Sequence, residues 1–314
     1  MAAALLGAFG RVRGAAEQYM DERDRAGLGW VEESVTDIAV HKGLPEVRVV
    51  QFNRQQEGGG VGGDYLWWWL DQTTSECFGM LVQAKRLKRT ANKWTVDIRQ
   101  RSGEQLADLS RTASHFEVPA IFAVYTGGPL FRRDLPCFHG KDPDCLSCRR
   151  MAISIISAYQ LWASWESPAD TATMVLNDSI PLEDLVDPAL GAGTVRDLNL
   201  PSIASPELRN FLLHDQHGPR EVAKRIFAAV SKQRSTSFSA VLAEPMIIAS
   251  APIFPEVPGD TGHYPNSYFD HFLRGLRTSP PAYVRDIQED RPTPPEVASR
   301  VAGVVLVRAR GAIR

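Results

Sequence analysis

The chain lacks most of the features that mark a specialised class. It has 4 cysteines in 314 residues, too few for a disulfide scaffold and in keeping with a reducing compartment. It has no surplus of either charge. Lys+Arg number 35 against 37 Asp+Glu, a net charge of -2, so affinity for nucleic acid has to come from a local patch and not from a global field. No apolar run is long enough to cross a bilayer. The small apolar start, residues 1–9, is broken by Arg11, Arg13 and Glu17 too soon to serve as a secretory signal. A cytoplasmic protein with no membrane partner is the expectation. There is no internal repeat and no low-complexity block. What remains is an ordinary globular composition, 44% apolar and 23% charged, with length for one large domain or two modest ones.

Periodicity organises the N-terminal half. Leu5, Phe9, Val12, Ala16 and Met20 recur at helical spacing, which predicts an amphipathic helix ending near Gly27-Leu28-Gly29. A second helix carries Glu32, Glu33, Thr36 and Asp37. Residues 47–52 read as a β-branched strand. Tyr65-Leu66-Trp67-Trp68-Trp69-Leu70 reads as an aromatic strand, and 78–82 as a third that ends on Gln83-Ala84-Lys85. Residues 104–116 place Leu106, Leu109, Ala113 and Phe116 on one helical face. Residues 118–125 have the content of a buried strand, with Pro119 near its start, where no ladder hydrogen bond is lost. Further on, helices are expected at 206–213 and 220–232 and strands at 246–253 and 301–307, between turn-rich segments.

The run Gly58-Gly59-Gly60-Val61-Gly62-Gly63-Asp64 is the most informative segment. A nucleotide-cradling loop is excluded, since no Gly-Lys-Ser/Thr follows and the next element is a strand instead of a helix. No Gly-x-Ser-x-Gly elbow occurs anywhere in the chain. The glycines form a permissive turn that delivers the Asp64 carboxylate onto a strand. Gln83 and Lys85 follow on the next apolar strand, two positions apart and so on one face, while Ala84 points into packing on the other. Phosphodiester hydrolysis needs a hard cation held by oxygen ligands and a charge near the attacking water. Singly, each of these residues is more often structural; their order and strand context give them weight.

Across residues 29–125, these residues and their element order resemble the PD-(D/E)xK nuclease superfamily, in the variant with Gln at the second acidic position, as in Mrr-like restriction enzymes. The resemblance implies an α/β protein with a restriction-endonuclease-like core (helix, three strands, helix, strand). Residues 1–165 would form that core with the N-terminal helix, and residues 166–314 a C-terminal α/β elaboration whose independence stays open. It further implies a Mg²⁺- or Mn²⁺-dependent endonuclease hydrolysing phosphodiester bonds in DNA, in bacterial defence against foreign DNA. Glu33, Asp64 and Gln83 would hold the cation, and Lys85 would orient or stabilise the attacking hydroxide. Glu33 is the choice, with Glu32 in reserve; neighbouring helical positions point about 100° apart, so only one of them can face a pocket. Gln83 lowers the negative charge of the site, so cation binding leans on Glu33. The alternative is a catalytically inactive nuclease-fold module that binds nucleic acid or a protein partner; a further one is an interaction protein with no nucleic-acid role. A homodimer is compatible with either.

Charge beside the motif fits a phosphate-bearing substrate. Lys85, Arg86, Lys88, Arg89, Lys93, Arg99 and Arg101 cluster with Asp97 as the one acid among them. Arg86, Lys88, Arg89 and Lys93 are the candidate DNA contacts, salt-sensitive by nature; the competing account is a solvated hairpin. Gln105 and Arg111, on the following helix, are further candidates to face the site. Separately, Cys137, His139, Cys145 and Cys148 form a Cys-x-His followed by a Cys-x-x-Cys, a donor set suited to structural Zn²⁺, with buried free thiols as the plain alternative. Cys77 reads as core. Alternating burial in a sheet is the simplest account of Trp67-Trp68-Trp69.

Overall fold

Residues 2–52, 63–90, 93–98, 104–135, 145–163, 171–191, 205–232, 250–254 and 272–308 are described by the computed structural model. Helices α1 (Ala2–Arg25) and α2 (Glu32–Lys42) precede strand β1 (Val47–Gln51). Strands β2 (Gly63–Leu70), β3 (Cys77–Thr90) and β4 (Lys93–Val96) follow, and helix α3 (Glu104–His115) leads into β5 (Ala120–Tyr125). Next come α4 (Leu146–Arg150), β6 (Ile153–Ser157), α5 (Ala158–Ala163), α6 (Thr171–Asp178), β7 (Ile180–Pro181) and a 3₁₀ turn at Leu182–Leu185. The chain continues through α7 (Pro206–Leu213), α8 (Pro219–Lys232), β8 (Leu276–Arg277), α9 (Ala282–Gln288), α10 (Pro295–Ala298) and β9 (Val301–Arg308).

The architecture is mixed α/β: one mixed sheet with helices on both faces. Its main path runs β1-β9-β2-β3-β5-β6-β7, with β4 and β8 pairing against β3. Strand β2 turns back antiparallel onto β3, and β3 crosses over α3 to the parallel strand β5. Strand β9 lies between β1 and β2, antiparallel to the first and parallel to the second. The C-terminal extension therefore adds strands to the same sheet. No helix among the described residues is long and apolar enough to cross a membrane.

Helix α1 forms as its spacing predicts. Leu5, Phe9, Val12, Ala16 and Met20 are all buried, and Gly27 takes a left-handed φ of 68°. There the Gly27 and Leu28 amides donate to the carbonyls of Asp24 and Arg23, both at 2.9 Å, closing carbonyls the helix end leaves unpaired. The Trp run alternates as a strand must. Trp69 packs with Phe9 in the cluster beneath α1. Trp68 enters the opposite cluster and donates from Nε1 to the Tyr283 hydroxyl at 3.1 Å. Gly79 is its cross-strand partner, and a Cβ there would lie 2.6 Å from the Trp68 ring. Only glycine leaves the room the indole needs. The strand expected at 246–253 does not form where it is described. Residues 246–249 lie outside the described residues, and 250–254 make only an isolated bridge from Pro252 to Arg277. Pro252 has no N–H to give to a ladder.

Candidate functional site

Strand alternation sorts β3 into two faces. Phe78, Met80, Val82 and Ala84 face the cluster under α1 and α2. Cys77, Leu81 and Leu87 face the cluster under α3, and burial pushes the Cys77 thiol pKa up. Gln83 and Lys85 share the parity of that second group. In register they meet Phe122 and Val124 of β5, whose side chains belong to the α3-side cluster.

Both polar side chains are buried, Gln83 at 2% and Lys85 at 5% exposure. An ammonium in such surroundings needs an acceptor. Lys85 Nζ donates to Oε1 of Gln105, in the first turn of α3, at 2.5 Å. Gln83 Oε1 is buried with no hydrogen-bond partner among the described residues. Leaving a buried acceptor unpaired costs about 1–3 kcal/mol. Arg111, by contrast, is exposed and paired to Asp108 at 2.5 Å.

Asp64 is the second residue of β2. The next residue, Tyr65, pairs with Val82 at the end of the β2–β3 ladder. The Asp64 side chain and Gly58 to Gly62 lie outside the described residues. Glu33 is exposed, near the start of α2. That helix buries Val35 and packs Ala39 into the cluster on the other side of the sheet. The structure thus bonds Lys85 to Gln105, with Gln83 on the same face of β3, and leaves Glu33 on the helix layer across from them.

The basic residues divide in the same way. Arg86 lies over the Trp30 ring, 5.9 Å from its centroid, and donates to the Trp30 carbonyl, so it fastens the segment before α2 to β3. Lys88, Arg89 and Lys93 belong to the β3–β4 hairpin. Arg89 pairs with Asp134 at 3.0 Å and lies 5.3 Å from the Trp94 centroid. Lys88 approaches Asp97 at 4.0 Å, and Lys93 is exposed. The hairpin therefore presents partly compensated positive charge to solvent.

Of the Cys/His set, Cys137 and His139 lie outside the described residues. Cys145 and Cys148 are half-buried and not disulfide-bonded. Cys145 sits at the N-cap of α4, with its carbonyl accepting from Arg149 at 3.0 Å. Among the described residues no group of three or more His, Cys, Asp and Glu comes together as a metal site.

A buried ionic network escaped the sequence reading. Arg150 pairs with Asp184 at 2.8 Å and Asp187 at 2.6 Å, and approaches Glu183 at 3.7 Å. Arg13 bridges Glu183 and Glu17, and Arg225 donates to the carbonyls of Asp184, Asp187 and Leu190. Burial holds the Asp184 carboxyl above its usual range despite Arg150. Asp187 meets the same penalty, yet hydrogen bonds from Arg150 and the Ala189 amide hold it below. The network fastens α1, α4 and α8 to the 3₁₀ turn. Its members are scattered from residue 13 to residue 225, so no local motif could have announced it.

The chain matches the Family of unknown function (DUF6615) over residues 9–312 and belongs to that family. No curated protein and no solved structure matches it.

Proposed function

We propose that the chain is a metal-dependent endonuclease acting on DNA, built on a restriction-endonuclease-like core, with Asp64, Gln83 and Lys85 as its site residues and Glu33, expected to join them, lying across the sheet. The carrying observation is the buried pair on β3: Lys85 held by Gln105 at 2.5 Å, beside a Gln83 carbonyl oxygen with no partner among the described residues. The order α2, β1, β2, β3, β4, α3, β5, with parallel β3 and β5 joined through β4 and α3, supports the core. Strand β9, between β1 and β2, is an addition to it.

Mg²⁺ and Mn²⁺ favour oxygen donors, and the unpaired Gln83 Oε1 fits that preference. Asp64 would add the carboxylate from β2; Glu33, exposed on the helix across the sheet, is not placed to add a second. Bound there, the cation would neutralise phosphate charge and acidify a bound water. The chain's own part is electrostatic. Lys85, fixed by Gln105 between apolar walls, sets a positive charge that needs no reorganisation as negative charge develops on phosphate. Lys88, Arg89 and Lys93 on the hairpin would hold backbone phosphates without reading sequence.

The test is plasmid cleavage with Mg²⁺ or Mn²⁺ by the wild-type chain and by Asp64→Ala and Lys85→Ala. Cleavage lost in both variants supports the site; cleavage retained in both removes it. In the same reading the activity serves cytoplasmic defence against foreign DNA, and expression should lower phage plating in a manner abolished by Lys85→Ala. One observation favours a second reading, a catalytically inactive module that binds nucleic acid or a protein. Glu33 is exposed on a helix packed across the sheet from Gln83, which leaves the site short of carboxylate. Salt-sensitive DNA binding without cleavage in either metal would select that reading.

A further inference from the structure

The cysteines among the described residues divide by access. Cys77 is fully buried, and that burial pushes its thiol pKa up, which leaves it inert to exchange. Cys145 and Cys148 are half-buried, and Leu146 and Arg149 beside them are exposed, so a small reagent can reach the pair. Local geometry brings the two together. Cys145 is the N-cap of α4, and residues 146–148 open the helix. The Arg149 amide closes that turn on the Cys145 carbonyl at 3.0 Å, and helical rise and radius then put the two Cα atoms about 5 Å apart. A disulfide spans Cα atoms about 4.4–6.8 Å apart. Two cysteines both inside a helix would keep their Cβ atoms about 5–6 Å apart, beyond the roughly 3.5–4.5 Å that the bond needs. Cys145 escapes that limit because its ψ of 114° is not helical. An N-cap side chain reaches back over the third residue of the helix, and here that residue is Cys148. The Cys145 side chain makes no capping hydrogen bond that would compete.

We propose that Cys145 and Cys148 are a redox-active dithiol that closes a reversible intramolecular disulfide by exchange with a small-molecule disulfide such as oxidised glutathione. One cysteine thiolate attacks a sulfur of the reagent, forming a mixed disulfide and expelling one glutathione thiolate. The other cysteine thiolate then attacks the protein sulfur of that mixed disulfide and expels the second. Two protein thiols are oxidised, one small disulfide is reduced to two thiols, and the protons lost by the cysteines are those the two glutathiones take up. The backbone is already held where the bond forms. Arg132 donates from Nη2 to the Cys148 carbonyl at 2.6 Å, and Arg150, two residues on, bonds Asp184 and Asp187. Closure therefore asks for side-chain rotation alone. In a reducing compartment the pair rests as the dithiol and closes under oxidative load. The inference stands apart from the nuclease reading.

The test equilibrates the full chain with glutathione mixtures of rising oxidised fraction, quenches with acid, alkylates and digests with trypsin. Cleavage after Lys141 and Arg149 leaves both cysteines on one peptide and Cys137 on another. The expected product is the 142–149 peptide, unalkylated and two hydrogens lighter, restored by dithiothreitol, with Cys77 reduced throughout. Because the exchange releases two glutathiones, the ratio of oxidised to reduced peptide should rise tenfold for each tenfold rise in oxidised glutathione over the square of reduced glutathione. Cys145→Ser and Cys148→Ser should each stop at a mixed disulfide. Glutathione retained on both cysteines of the wild type, or a bridge to Cys137, overturns the proposal. So does a pair that stays reduced when glutathione is almost wholly oxidised, as one locked to zinc would. The wild-type peptide carries the result whether or not either variant folds, and no step involves DNA.

Discussion

On the α3 side of the sheet, β3 gives two successive inward positions to polar groups, Gln83 and Lys85. On the α1–α2 side, the alternating residues Val82 and Ala84 line an apolar cavity. The contrast sharpens when each side's buried lysine is compared. Lys224, on α8, has no exposure and donates to the His214 backbone carbonyl at 2.5 Å. Lys85 donates to a side-chain amide and stands beside an acceptor left unpaired among the described residues. An ammonium answered by backbone fastens a loop to a helix. One that donates to a side chain, next to an unpaired carbonyl, fits the proposed metal-dependent role.

The comparison breaks most visibly at Lys85. Lys85→Ala is expected to lower cleavage by about 10²–10³-fold, the size seen when a preorganised charge or donor is removed from a reacting centre, under conditions where the variant is still fully folded by its denaturation curve. A fall in cleavage that merely tracks lost stability would mean Lys85 is a fastening like Lys224. On the other face the largest effect is on stability. Trp69 is fully buried and meets Phe9 edge-on at 5.7 Å, so Trp69→Ala should cost about 3–5 kcal/mol in urea denaturation. Gln83→Leu comes next, and in the opposite direction. Removing the unpaired carbonyl should raise stability by about 1–2 kcal/mol and abolish metal-dependent cleavage. A variant both less stable and fully active would remove Gln83 from the site.

How much of this was legible follows from the range of each signal. The helices and strands of the N-terminal half were readable because period and neighbours agree: Leu5 through Met20 on α1, Trp68 and Trp69 on opposite faces of β2, and Leu106, Leu109 and Ala113 on α3. Gln83 and Lys85 were readable as one face because a strand's period is fixed. Their burial was not, since it depends on α3 and β5 closing over them. Nor was the place of β9, whose residues 301–307 announce a strand but not its insertion between β1 and β2. Non-local pairing leaves no local pattern. The same limit hid the Arg150 network and set the exposed Glu33 on the layer across from Gln83.

Lys224 offers a pH test of the fastening role. Burial favours the neutral amine and lowers its pKa from the ordinary lysine value. The unfolded chain thus binds more protons between the folded pKa and about 10.4, and stability should rise with pH through that window, by at most about 1.4 kcal/mol per pH unit. Lys224→Met should flatten this contribution, measured as the difference between wild-type and variant stability from neutral pH to pH 10. An unchanged difference across that range would show that the lysine keeps its ordinary pKa in the fold.

The smallest expected effect lies at the cavity's polar edge. Thr36 gives its one hydroxyl hydrogen to the Glu32 carbonyl, so in the 2.7 Å contact with Tyr125 the phenol is the donor. Tyr125→Phe removes that donor and leaves Thr36 bonded to Glu32, and the cost should be about 0.5–1.5 kcal/mol. A cost near zero in urea denaturation would show that the contact between Tyr125 and Thr36 does not stabilise this face of the sheet.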